Sequence, residues 1–187
     1  MRATPRMTAG PARRIFAGLI FVLLAMGAVA ARADIAPFVG DFSGSAEMVS
    51  ADGTSTPRDM SVTISKTRDG FRVGWTTITY KSDGRTKVSP FSVDFLPTDR
   101  PGIYSAAMQR NVFGHAVPLD PMRGEPYVWG RITGDTLTVY SLFVDDKGGY
   151  EMQQYDRTLA EGGLMLEFSR LRNGEMLRSV SAFLKRQ

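Results

Sequence analysis

The sequence contains no cysteine, which removes thiol catalysis, cysteine-built zinc sites and disulfide frameworks at once. It also removes a lipid-modified amino-terminal cysteine as a means of anchorage. Histidine is nearly absent too. His115 stands alone, so one side chain has an unperturbed pKa near neutrality. From Phe38 onward no helix-length window carries apolar residues at helical spacing, which argues against a helical domain. No glycine-rich loop joins a strand to a helix and no serine sits in a nucleophile elbow, so neither nucleotide cofactors nor the common hydrolase arrangement is indicated. The sequence therefore predicts no cofactor, no metal site and no catalytic residue set.

Strong charge of one sign is missing as well, once the amino-terminal segment is set aside. Residues 1–33 open with Arg2, Arg6, Arg13 and Arg14, continue with an apolar run from Ile15 to Ala31, and end on Ala31-Arg32-Ala33. That order of basic, apolar and small residues is the pattern of a cleavable export signal, with cleavage expected after Ala33. The competing reading is an uncleaved anchor, because the apolar run approaches the roughly 20 residues that span a bilayer. Of 23 basic and 19 acidic residues, this segment holds five basic ones and no acid. Residues 34–187 thus carry 18 basic against 19 acidic side chains, with no electrostatic footprint for nucleic acid or anionic lipid. A periplasmic or secreted location is expected for a mature domain over residues 34–187 that is not embedded in a membrane.

What the chain does have is punctuation. Asp52-Gly53, Asp69-Gly70, Asp83-Gly84, Pro101-Gly102, Gly134-Asp135, Gly148-Gly149, Gly162-Gly163 and Asn173-Gly174 are tight-turn signals, since glycine and Asx residues accept positive φ. Between them lie ten predicted strands, at 38–49, 57–67, 70–80, 86–96, 102–110, 126–133, 136–145, 149–160, 163–172 and 175–186. Several alternate strictly, as Met60, Val62 and Ile64 do against Ser61, Thr63 and Ser65. The fold class expected is all-β. A meander of eight to ten short-turned strands closes most economically into one antiparallel up-and-down barrel, which leaves no edge unpaired; a two-sheet sandwich is the alternative. A membrane barrel is disfavoured because nearly every turn is short and the strands put Arg, Lys, Asp or Ser on their second face.

One connector, 111–125, departs from the short-turn rule, and long ordered loops in small domains are often lids or binding elements. It contains Phe113 and His115, with Asp120 and Glu125 as possible acid or base partners of the histidine; a plug over an open barrel end is the equal alternative. Asp94, Glu151, Asp156 and Glu167 lie on strands without a spacing that selects a catalytic pair. Aromatic residues recur across the middle strands. Trp75, Tyr104, Phe113, Trp129 and Tyr140, with His115, are the candidate ligand-binding residues, because a barrel of this size either fills its interior with such rings or holds one small apolar ligand.

At the first strand, Phe38-Val39-Gly40-Asp41-Phe42-Ser43-Gly44 resembles the lipocalin and calycin pattern, in which Gly-x-Trp opens strand one beneath a basic residue from the barrel's end. Phe42 stands in the Trp position, and Arg178 is the expected cover. The resemblance implies a barrel with a pocket for an apolar small molecule. An exported binder of a small hydrophobic ligand is thus the leading expectation. An interaction or inhibitor module for an envelope protein is the alternative, and an enzyme using His115 is third.

Overall fold

The structure, a computed structural model, describes residues 34–107, 109–110, 116–117 and 119–187. The strands are β1 (Gly40–Ser50), β2 (Ser55–Lys66), β3 (Phe71–Tyr80), β4 (Thr86–Pro97), β5 (Ile103–Ala106), β6 (Gln109–Arg110), β7 (Ala116–Val117), β8 (Tyr127–Thr133), β9 (Thr136–Val144), β10 (Tyr150–Ala160), β11 (Gly163–Arg172) and β12 (Glu175–Arg186). Ten of them form one closed antiparallel barrel in the order β1-β12-β11-β10-β9-β8-β5-β4-β3-β2. The barrel is therefore the fold, and the sandwich is not. The export signal expected over residues 1–33 lies outside the described residues.

Turn chemistry explains the meander. At Asn173-Gly174 both φ angles are positive, 50° and 88°, as the twist-matched hairpin turn requires of its two central residues. One predicted strand breaks: residues 102–110 divide into β5 and β6. Ala107 N donates to Asp94 O as the last rung on β4, after which Gln109–Arg110 pairs with Ala116–Val117 in a separate small hairpin.

The two barrel ends differ in kind. At the end where β1 begins and β12 finishes, Phe42, Ile64, Phe71, Phe95, Leu137, Leu164 and Leu184 are each 1% exposed or less. A short 3-10 turn, Ala36–Phe38, closes this floor, with Ile35 and Phe38 buried beneath the barrel. Arg186 clamps it. Its Nη1 donates to Val39 O at 2.7 Å and its Nη2 to Pro37 O at 3.1 Å, while its guanidinium lies 4.6 Å from the centre of the Phe42 ring. Gly40 makes room: its φ is +150°, and a Cβ there would meet Arg186 Nη1 at 2.3 Å.

The cation over Phe42 is thus Arg186, which corrects the expectation for Arg178. Antiparallel pairing sets Phe42 opposite Arg186 and Ser50 opposite Arg178. At about 3.3 Å per residue, Arg178 is displaced by more than 20 Å along β12 to the other end.

Polar pairs tie neighbouring strands on parts of the outer face. Asp59 accepts from Ser45 and Tyr80, Asp41 accepts from Thr63, and Arg72 grips Asp94 with two bonds. Among the described residues no helix is long and apolar enough to cross a membrane.

Candidate functional site

Above the floor the barrel interior is not filled. A cavity bounded by Met48, Met60, Val62, Trp75, Tyr155 and Phe168, together with Arg58 and Arg157, opens toward the other end. Its volume is about 80 Å³, enough for several waters or a slim organic chain. The walls are soft and aromatic. Tyr155 lies 4.6 Å from Phe168 and 5.5 Å from Trp75, ring centre to ring centre, and Trp75 stacks on Phe91 at 5.5 Å. Met48 and Met60 add flexible side chains that adapt to irregular shapes.

β5 pairs with β4 only over Phe95–Pro97, so among the described strands none pairs with the Thr86–Val93 half of β4 on that side. Phe91 belongs to the inward-facing set with Val93 and Phe95, yet it is 57% exposed.

The strands bring charge inward as well. Alternation places Glu151, Gln153, Tyr155 and Arg157 on one face of β10, and the pairing of Arg157 with Leu137 and Leu166, both buried, identifies that face as the interior. Arg157 is 1% exposed. Among the described residues neither its Nε nor its Nη1 has a hydrogen-bond partner, and the same holds for Nε of Arg58 and Nε of Arg170. The guanidinium of Arg157 lies 5.8 Å from the Trp75 ring centre and 5.5 Å from that of Tyr155. Such cation–π contacts supply about 0.5–2 kcal/mol, whereas removing a cation from water costs several kcal/mol even after relaxation. The rings do not cover the cost. Burial accordingly pushes the Arg157 pKa down to about 10.

Nearby carboxylates are committed elsewhere. Asp156 points to the outer face, where it accepts from Thr138 at 2.6 Å and Gln154 at 2.6 Å. Glu151 accepts from Gln153 at 3.0 Å and Arg170 at 2.6 Å, with Arg172 at 3.6 Å. Burial alone would raise its pKa, but those donors outweigh it and hold it below the usual value. Burial lowers the Arg58 pKa, and the positive charge of Arg178 lowers it further. Arg178 in turn sits directly opposite Arg170 across β11 and β12, a like-charge pair that destabilises a sheet unless something offsets it.

No protein-family model and no curated protein matches the chain. Among solved structures, it is similar to the S-type phycobiliprotein lyase CPES from Guillardia theta at 8% identity and a TM-score of 0.36, over 82% of this chain and 90% of that one. It is also similar to an N-terminal dehydratase from the difficidin assembly line, at 10% identity and a TM-score of 0.23, over 92% of this chain and 84% of that one. Likenesses this distant carry no argument about function.

The six ligand-binding candidates named from sequence separate into four groups. Trp75 lines the cavity. Tyr104 instead packs against the floor, edge-on to Phe71 at 4.9 Å, and burial raises its pKa. Trp129 and Tyr140 stack on each other at 4.7 Å on the outer face, because their neighbours Val128, Gly130 and Val139 take the inward positions. Phe113 and His115 lie outside the described residues. Asp120 and Glu125 serve their own loop: Asp120 accepts from Met122 N, and Glu125 accepts from Asp120 N. Among the described residues no group of three or more His, Asp or Glu side chains is placed to hold a metal. Sequence reasoning missed Arg157, Arg58, Tyr155 and Phe168 as cavity residues.

Proposed function

We propose that this protein is exported to the periplasm or beyond, and there binds a small, largely apolar molecule inside the upper half of its barrel. One observation carries the reading: the barrel packs its floor to completion but leaves an aromatic and methionine-lined cavity open above it. A chain with Leu137, Leu164 and Phe95 in place below has the side chains to fill a core, so the space above is consistent with an occupant. Its outer face, laced with carboxylate and hydroxyl pairs, suits water rather than lipid.

Titration of the mature chain with a neutral fluorescent probe, N-phenyl-1-naphthylamine, tests this. One equivalent should bind, with affinity falling at least about tenfold in Thr77→Trp, which would project a ring into the cavity. If that variant binds as well as the parent, or the parent binds nothing, the cavity is not the site.

Docking to an envelope protein has its own supporting feature, the outer strip of Tyr127, Trp129 and Tyr140 with Arg131 at 5.8 Å from the Tyr140 ring centre. Arginine and large aromatics are the residues most enriched at interface hot spots. Loss of a crosslinked partner in Trp129→Ser, with ligand binding intact, would favour that reading.

A further inference from the structure

Resting on the reading of the cavity as a binding site, we propose that its occupant is a small organic monoanion, a carboxylate or equivalent oxyanion on an apolar or aromatic body, seated with its charge against Arg157 and flanked by Arg58. The apolar wall and the charged group are part of one cavity, so a purely apolar ligand would satisfy half of it. Arg157 offers two buried donors without acceptors, and Arg58 offers a third. Water entering the cavity accepts those hydrogen bonds but brings no negative charge.

Arginines dominate the mouth, while Asp156, whose charge also acts on Arg157, lies on the outer face and is bonded to Thr138 and Gln154. Arg170 and Arg178 face each other at the mouth, and Arg178 adds to the positive field at Arg58. Glu151 is the inward carboxylate of β10, and it is bonded to Arg170 and Gln153 rather than to Arg157. An entering anion thus meets a positive rim before it reaches a deeper guanidinium, an arrangement that concentrates ligands of opposite charge. A single charge matches best. Of the two cavity arginines only Arg157 is fully buried, with Leu166, Val62 and the rings of Trp75 and Tyr155 along the same wall, so the deep end takes one charged group and the rest of the ligand is apolar.

Calorimetric titration with two matched pairs separates charge from shape: octanoate against octanamide, and 3-phenylpropionate against 3-phenylpropanamide. In the mature wild-type protein each acid should bind about 10- to 100-fold more tightly than its amide, the range expected of charge-assisted bonds in a buried site. Arg157→Met should bring that ratio close to one while changing amide affinity less than about threefold. Arg58→Gln, at a partly buried position on the same wall, should lower the ratio by about three- to tenfold. Equal binding of acid and amide by the wild type, or an undiminished ratio in Arg157→Met, would overturn the anion assignment and leave the binding protein standing. Failure of all four compounds and of the neutral probe would overturn the binding reading itself.

Discussion

Two arginines on the inside of the same barrel are treated in opposite ways. Arg186, at the floor, is largely exposed, yet it has two carbonyl acceptors and an aromatic ring. Arg157, above it, is buried, yet two of its nitrogens have no acceptor. A cation used for structure is placed where water shares the cost and carbonyls complete its bonds. A buried cation without acceptors weakens the fold around it, and such costs concentrate at functional sites. The floor therefore carries the closest packing of the barrel, and the upper half holds the proposed site.

Cutting the floor should break this comparison most visibly. Phe71 is 1% exposed, stacked on Phe95 at 5.1 Å and set edge-on to Tyr104. Phe71→Ala should cost about 3–5 kcal/mol, the sum of lost transfer energy and the cavity left behind. Chemical denaturation of the mature chain measures it; a loss below about 1 kcal/mol would mean that the floor is not the stabilising half. Arg186→Ala should cost less, about 1–2 kcal/mol, because its bonds are charge-assisted but open to solvent. Gly40→Ala should fall in a similar range, since the new methyl meets the guanidinium and the backbone must hold a φ that alanine rarely adopts. If both variants melt as the parent does, the clamp is ornamental.

Much of the floor is legible in the sequence, and little of the site is. Turns such as Asn173-Gly174 announce themselves through backbone chemistry that is local, so strand limits at 163–172 and 175–186 agree with β11 and β12. The Gly40-x-Phe42 signature likewise marks the floor, although the arginine above it depends on how the first and last strands pair. β10 shows why the site escapes. Its inward set, Glu151, Gln153, Tyr155 and Arg157, is as polar as its outward set, Met152, Gln154, Asp156 and Thr158, so alternation cannot say which face is buried. An arginine on a strand then reads as a solvent-facing residue. Trp129 and Tyr140 err in the other direction: large rings suggest an interior, whereas these two cover one another outside. The break after Ala106 depends on where the β4 ladder stops, and local sequence does not record that.

Arg157→Met should reverse the sign of the floor variants. Two nitrogens of this buried cation lack acceptors, and replacing buried charged groups with well-packed apolar side chains of similar volume is often neutral or stabilising, so the unliganded protein should gain about 1 kcal/mol or stay unchanged. A loss above about 2 kcal/mol would show that the ring contacts of Arg157 support the fold after all.

The smallest effect belongs to the mouth and concerns pH. Donors from Arg170 and Gln153 hold the folded Glu151 carboxyl below its ordinary value despite burial, so this group takes up its proton at lower pH when folded than when unfolded. Its stabilisation is therefore present above the unfolded pKa, near 4.5, and is lost as pH falls through the folded value. The difference in stability between wild type and Glu151→Gln should narrow as pH drops from about 6 toward 3. The same scan should leave the effect of Phe71→Ala constant, because no titrating group is removed there. A Glu151→Gln difference that stays flat would place its carboxylate in solvent, with Arg170 unpaired, and the mouth would then be more positive than the hydrogen bonds describe.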